Sequence, residues 1–70
     1  MKWEVTWGRV GSVFTNIYVA TGKFGTFKLW SSGKYYHAIY IGDFSNFRFP
    51  RKKTLEEMKT LCESNAWWEE

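Results

Sequence analysis

The first fifty residues alternate between apolar and polar side chains and are divided by glycine-containing turns, a pattern that strongly constrains the fold. Trp3, Val5 and Trp7, for example, alternate with polar residues before a glycine-rich turn or bulge at 8–11. Successive side chains of a β-strand point to opposite faces, so a period of two predicts strands. The predicted strands are 3–7, 12–20, 26–30, 35–41 and 44–49, and Pro50 then ends the pairing because it lacks a backbone N–H. Turns this closely spaced favour an antiparallel meander.

One helix is predicted after the strands. Thr54 and Glu57 have the spacing of a capping box, in which the threonine hydroxyl accepts a hydrogen bond from the third helical N–H. The residues that recur at helical spacing over about 55–67 form one apolar stripe: Leu55, Met58, Leu61, Cys62 and Ala66. We therefore predict a single α+β domain over 1–70. It is a four- to five-stranded antiparallel meander sheet with one C-terminal α-helix packed on one face.

The chain lacks the residue clusters that catalysis, metal binding or membrane insertion require. Its one cysteine, Cys62, excludes an internal disulfide and, with the one histidine, His37, cannot form a zinc site. His37 has no nucleophile or carboxylate beside it in the pattern, and the glycines lack phosphate-loop spacing. No apolar segment is long enough to cross a membrane or to form a signal-peptide core. We expect a cytoplasmic, non-enzymatic protein that uses no cofactor and no metal.

Aromatic residues make up 21% of the 70 residues, and the charge is divided along the chain. Residues 1–53 hold nine Lys and Arg against Glu4 and Asp43, a net of +7. Residues 54–70 hold one Lys against five Glu, a net of −4. The overall net charge of +3 permits attraction to nucleic acid or to acidic protein surfaces without selecting between them. A basic aromatic sheet followed by an acidic helix indicates a surface that binds another molecule.

Alternation along each strand divides the side chains into two sets. The set expected to form the core under the helix is Val13, Ile17, Val19, Phe27, Leu29, Ile39, Ile41, Phe47 and Phe49. The set expected on the second face is Phe14, Asn16, Tyr18, Lys28, Trp30, Tyr36, Ala38, Tyr40 and Arg48. One helix covers one face of a sheet, so the second face is either exposed or covered by another molecule. We predict a contact surface of Tyr18, Lys28, Trp30, Tyr36 and Tyr40, with Arg48, Arg51 and Lys52 attracting acidic partners.

Several interpretations of the second face stay open at this point. It binds a protein partner or a second copy in a homodimer, or it stacks the bases of single-stranded nucleic acid. It could also hold a nucleotide between subunits, or form a second small core beneath the loops and the first strand. His37 is expected to be half-buried on the face of Ile39, and Cys62 to be a buried apolar residue. One of Trp67 and Trp68 is a candidate anchor for a partner.

The segment 49–63 resembles many small phage-encoded proteins. Those proteins have aromatic, glycine-punctuated strands that end in a helix of the type Thr-Leu-Glu-Glu-Ala-Lys…Cys-Glu, and here the helix reads from Thr54 to Glu63. Met58 stands where alanine is commoner, and the resemblance carries over no binding residue. It implies a protein that acts stoichiometrically, inhibiting a host or defence protein or sequestering its signal. We predict a phage-type inhibitor that acts through its aromatic and basic sheet face.

Overall fold

A computed structural model describes residues 2–65 of the chain and shows five antiparallel strands followed by one helix. The elements are β1 (Glu4–Val10), β2 (Val13–Thr21), β3 (Gly25–Ser31), β4 (Tyr36–Gly42), β5 (Asn46–Arg48) and α1 (Leu55–Ser64). The strands lie side by side in chain order, β1-β2-β3-β4-β5, and every neighbouring pair is antiparallel. The predicted α+β class, with an antiparallel meander and a C-terminal helix, is confirmed. Ala66, Trp67 and Trp68, on which parts of the sequence interpretation rest, lie outside the described residues.

Two strand boundaries differ from the predicted ones by more than one residue, because of the turns beside them. β1 continues through the expected turn at 8–11, since Val10 pairs with Val13 across a two-residue turn. Gly11 supplies the left-handed backbone of that turn with a φ of 63°. β5 is shorter than predicted because Phe44 and Ser45 belong to the preceding turn, in which the Gly42 N–H donates to the Ser45 carbonyl at 3.0 Å.

The helix begins at the predicted cap. The Thr54 hydroxyl accepts a hydrogen bond from the Glu57 N–H at 3.1 Å, and this satisfies one of the free donors of the first turn. At the other end the Asn65 N–H donates to the Cys62 carbonyl at 3.2 Å. Met58 and Cys62 of the apolar stripe are buried, and Leu55 packs against the same core.

The predicted division of the sheet into two faces is wrong, and the length of the turns explains why. Four residues separate the closing pairs Thr21↔Thr26, Ser31↔Tyr36 and Ile41↔Asn46. An even number of intervening residues pairs an odd-numbered position with an even-numbered one, and paired residues share a face. The helix-covered face therefore takes even residues from β2 and β4 but odd residues from β1, β3 and β5.

The core under the helix consequently includes residues that were expected on the opposite face. Ala38 and Tyr40, predicted on the second face, are buried there, whereas Val13 and Ile41, predicted in the core, are exposed. Tyr18 and Tyr36 are half-buried against the same cluster. The buried cluster is Ala20, Phe27, Leu29, Ala38, Tyr40, Phe49, Met58 and Cys62.

The contacts of the helix place it diagonally across the sheet. Its start follows Lys52, which exchanges two backbone hydrogen bonds with Tyr36 at one end of β4. Near its other end, Glu63 accepts a hydrogen bond at 3.2 Å from Nε1 of Trp3, which precedes β1 at the opposite end of the sheet. A diagonal helix leaves two opposite corners of its own face uncovered, one at the β1–β2 hairpin and one at the turn before β5.

Burial of Cys62 makes its thiol a measure of the integrity of the helix. Desolvation, and secondarily the charge of Glu63, raises the pKa of Cys62 from 9.0 to about 12. Because the thiolate is the nucleophile, we expect alkylation by iodoacetamide near neutral pH to be about 1,000-fold slower than in the chain unfolded by guanidinium. The folded protein should react faster as the pH rises towards 12. Equal rates for the folded and unfolded chains would contradict the burial of this side chain.

Candidate functional site

The face of the sheet opposite α1 is not covered by any described residue, and we call it the open face. Its central row crosses all five strands in the order Glu4, Val19, Lys28, Ile39 and Arg48. Val19 and Ile39 are half-buried, whereas Lys28 is exposed between them. The row thus carries an acidic residue at one edge, a lysine in the middle flanked by aliphatic side chains, and an arginine at the other edge.

The neighbouring row of the open face is apolar and aromatic. It places Ile17, Trp30 and His37 side by side on three adjacent strands. The Trp30 and His37 rings stack with their centroids 5.9 Å apart, and Nε2 of His37 lies 2.9 Å from the Ser32 hydroxyl. The expectation of a half-buried histidine on the face of Ile39 is therefore confirmed.

The structure brings together only three of the eight predicted contact residues. Lys28, Trp30 and Arg48 share the open face. The three tyrosines, Tyr18, Tyr36 and Tyr40, lie on the helix-covered face instead. The prediction of one shared contact surface is wrong because the turns of even length move the even-numbered residues of β2 and β4 to that face.

The two basic residues before the helix have structural contacts of their own. The guanidinium of Arg51 lies 4.4 Å from the ring centroid of Tyr35, a distance suited to a cation–π contact. Phe49 pairs with Ala38, so regular pairing would place Arg51 opposite Tyr36. Lys52 pairs through its backbone with Tyr36 instead, so this segment contains one extra residue. This extra residue is a β-bulge that bends the chain towards the helix.

Two aromatic surfaces lie at the uncovered corners of the helix-covered face. The sequence did not indicate either of them as a separate site. We call the first the hairpin corner: Val5, Trp7 and Phe14 are 58%, 66% and 60% exposed, and the Trp7 and Phe14 rings stack at 6.4 Å. The second is a cavity of about 430 Å³ at the turn before β5, lined by Phe24, Tyr40, Phe44, Ser45 and Phe47. The available signal for both surfaces was that the helix is shorter than the sheet is wide. The ten residues of α1 span about 15 Å, whereas five strands side by side span about 24 Å, so part of the helix-covered face must stay uncovered.

Within residues 2–65, no three His, Cys, Asp or Glu side chains converge in a way that could hold a metal ion. In the same part of the chain, no helix has the length and apolar character needed to cross a membrane. No protein-family model matches the chain, and no curated protein or solved structure matches it either.

Proposed function

We propose that this is a non-enzymatic binding protein whose open face docks on the surface of another protein. The observation that carries the proposal is the exposed Lys28 at the centre of a sheet face built from half-buried aliphatic and aromatic side chains. Contiguous exposed apolar surface is typical of interaction sites, and a charge at its centre requires an opposite charge on the partner. The sheet presents these side chains at little conformational cost because hydrogen-bonded strands hold the backbone.

The chemistry of the central row defines the kind of partner. The neighbouring aliphatic residues Val19 and Ile39 require an apolar counterpart. Once that surface excludes water, the Lys28 ammonium needs a compensating carboxylate, since a buried charge without a partner is strongly unfavourable. Arg48 adds a second positive charge two strands away. The partner surface is therefore apolar, with one acidic group opposite Lys28 and a second acidic group towards Arg48.

A protein partner suits this face better than single-stranded nucleic acid. Nucleic-acid platforms stack successive bases on several aromatic rings, whereas the open face offers the stacked pair of Trp30 and His37. The other apolar residues of these rows, Ile17, Val19 and Ile39, are aliphatic and do not stack on bases. The tyrosines that would have completed a stacking surface lie under or beside the helix.

The resemblance of the helix to those of small phage-encoded proteins supports a stoichiometric mode of action. In this proposal the chain covers a functional surface of a host or defence protein and inhibits it by occupancy. An inhibitor of this kind needs only affinity and placement, which a rigid sheet face supplies.

A charge reversal at the centre of the open face tests the proposal. We expect Lys28→Glu to weaken binding to the partner by about 100-fold, because the reversed charge would oppose a desolvated carboxylate. The matched control is Lys23→Glu, which makes the same charge change at an exposed position in the turn between β2 and β3. A protein that binds the wild-type chain and Lys23→Glu but does not bind Lys28→Glu is a partner of the open face. Calorimetry then measures its affinity for each of the three chains.

Two results would overturn the proposed function. If Lys28→Glu and Lys23→Glu bind the partner equally well, the open face is not the binding surface. If the wild-type chain instead retains a single-stranded oligonucleotide, with affinity that falls steeply as salt rises, the open face binds nucleic acid. The steep response would reflect the release of counterions from phosphates.

A further inference from the structure

We propose that two copies of this chain associate edge to edge through β1, which pairs antiparallel with β1 of the second copy to form a continuous ten-stranded sheet. This inference is independent of the proposed function, because it uses an edge of the sheet and leaves the open face accessible. The two copies are related by a two-fold axis that passes beside Trp7.

The two edges of the sheet differ in a way that favours β1. In the described part of the chain, β1 has β2 as its only neighbouring strand, and it runs for seven residues without a proline. The opposite edge, β5, has three residues and is followed by Pro50 and the bulge before Lys52. Short strands, prolines and bulges protect an edge from pairing, whereas a regular edge strand is a template for a further strand.

The hairpin corner supplies the apolar surface that backbone pairing alone lacks. Val5 and Trp7 belong to the edge strand itself, and Phe14 stacks on Trp7 from β2. At 58–66% exposure these three side chains leave on the order of 300 Å² of apolar surface per copy in contact with water. Pairing of β1 with its copy joins the two hairpin corners into one patch and removes much of this surface from water. A stable interface buries roughly 800 Å² per partner, so the paired backbone and the side chains beside it must supply the remainder.

The length of the strand defines the register, because β1 is seven residues long. The register in which all seven residues of β1 find a partner is centred on residue 7. It places Trp7 opposite Trp7 of the second copy on the helix-covered face, and cross-strand aromatic pairs stabilise sheets.

Association through the open face is a less favourable way to form the same dimer. A two-fold axis through the middle of that face would bring Lys28 of each copy towards Lys28 of the other. Like charges in a desolvated interface repel each other. The edge pairing avoids this contact.

A matched pair of aromatic substitutions tests the dimer. We expect the mass of the wild-type chain in sedimentation equilibrium to rise with concentration from 8.4 kDa towards twice that value. Trp7→Lys should remain a monomer at every concentration, whereas Phe44→Lys, at the other uncovered corner and 84% exposed, should behave as the wild type. Circular dichroism checks that both variants are folded. A monomeric wild type, or a dimer that persists in Trp7→Lys, would overturn the inference.

Disulfide trapping tests the register even when association is weak, because oxidation lets the covalent dimer accumulate from a small dimeric population. Trp7→Cys should form a covalent dimer under mild oxidation much faster than Phe44→Cys, since only position 7 lies at the two-fold axis. The native Cys62 is buried and does not compete. Equal rates of cross-linking at positions 7 and 44 would contradict edge pairing centred on Trp7.

Discussion

Replacing Tyr40 with alanine should severely destabilise the fold, with an expected loss of about 3–5 kcal/mol in the free energy of unfolding. The side chain is only 3% exposed, and its ring centroid lies 4.6 Å from that of Phe27 and 5.2 Å from that of Phe47. A domain of this size is stable by roughly 4–10 kcal/mol in total, so the loss would remove a large part of it. Urea denaturation followed by tryptophan fluorescence measures the change.

The control for Tyr40→Ala is Phe44→Ala. Phe44 is close in the chain, also aromatic and 84% exposed, with its ring centroid 5.8 Å from that of Phe24. Its removal should change the free energy of unfolding by less than about 0.5 kcal/mol, as is usual for surface positions. If both variants unfold at the wild-type urea concentration, Tyr40 is not part of the core and the assignment of the two faces is incorrect.

Tyr40 also shows what the sequence could and could not predict. Alternation along β4 correctly separated Tyr36, Ala38 and Tyr40 from His37, Ile39 and Ile41, because the period of two is a local property. Which of the two sets meets the helix depends on how many residues each turn contains, and this is decided by the closing pairs such as Ser31↔Tyr36. A turn one residue longer would have reversed the assignment.

Composition favoured the wrong assignment for a physical reason. Ile39 and Ile41 are more apolar than Ala38 and Tyr40, so burial of the isoleucines was the expected arrangement. The face beneath the helix instead includes two small residues, Ala20 and Ala38, which are buried in one cluster with Tyr40, Met58 and Cys62. The available signal for the face beneath the helix was the presence of these alanines in strands that are otherwise rich in β-branched and aromatic residues.

The helix itself was predictable because its signals are local. Thr54 and Glu57 have the spacing of a capping box, and the apolar stripe that includes Met58 and Cys62 can be recognised without knowing how the sheet is arranged. The direction in which the helix crosses the sheet is not local, because it depends on the contact of Glu63 with Trp3, sixty residues away in the chain. The two aromatic corners follow from that direction and were therefore not predicted.

Replacing Gly25 with alanine should destabilise the fold by about 1–3 kcal/mol or more, although the same change in an unobstructed strand would stabilise it. A Cβ atom at Gly25 would lie 2.5 Å from Cζ and the hydroxyl of Tyr40 and 2.6 Å from the Cα of Gly42. Gly25 pairs with Gly42, and the Tyr40 ring lies over both. The tyrosine is held in the core and the second obstacle is backbone, so neither can move away at little cost.

Gly8→Ala is the matched control, because Gly8 is also a glycine within a strand. Its Cβ would meet only the Cδ1 atom of Ile17 at 2.9 Å, with the next nearest atom at 3.9 Å. The end of the isoleucine side chain can rotate away, so we expect a change between zero and a gain of about 1 kcal/mol from the lower entropy of the unfolded chain. Opposite signs for the two variants in thermal denaturation would support the packing of Tyr40 over the Gly25–Gly42 pair. If Gly25→Ala instead raises the melting temperature as Gly8→Ala does, the tyrosine ring does not occupy that position, and the core must be closed there by another side chain.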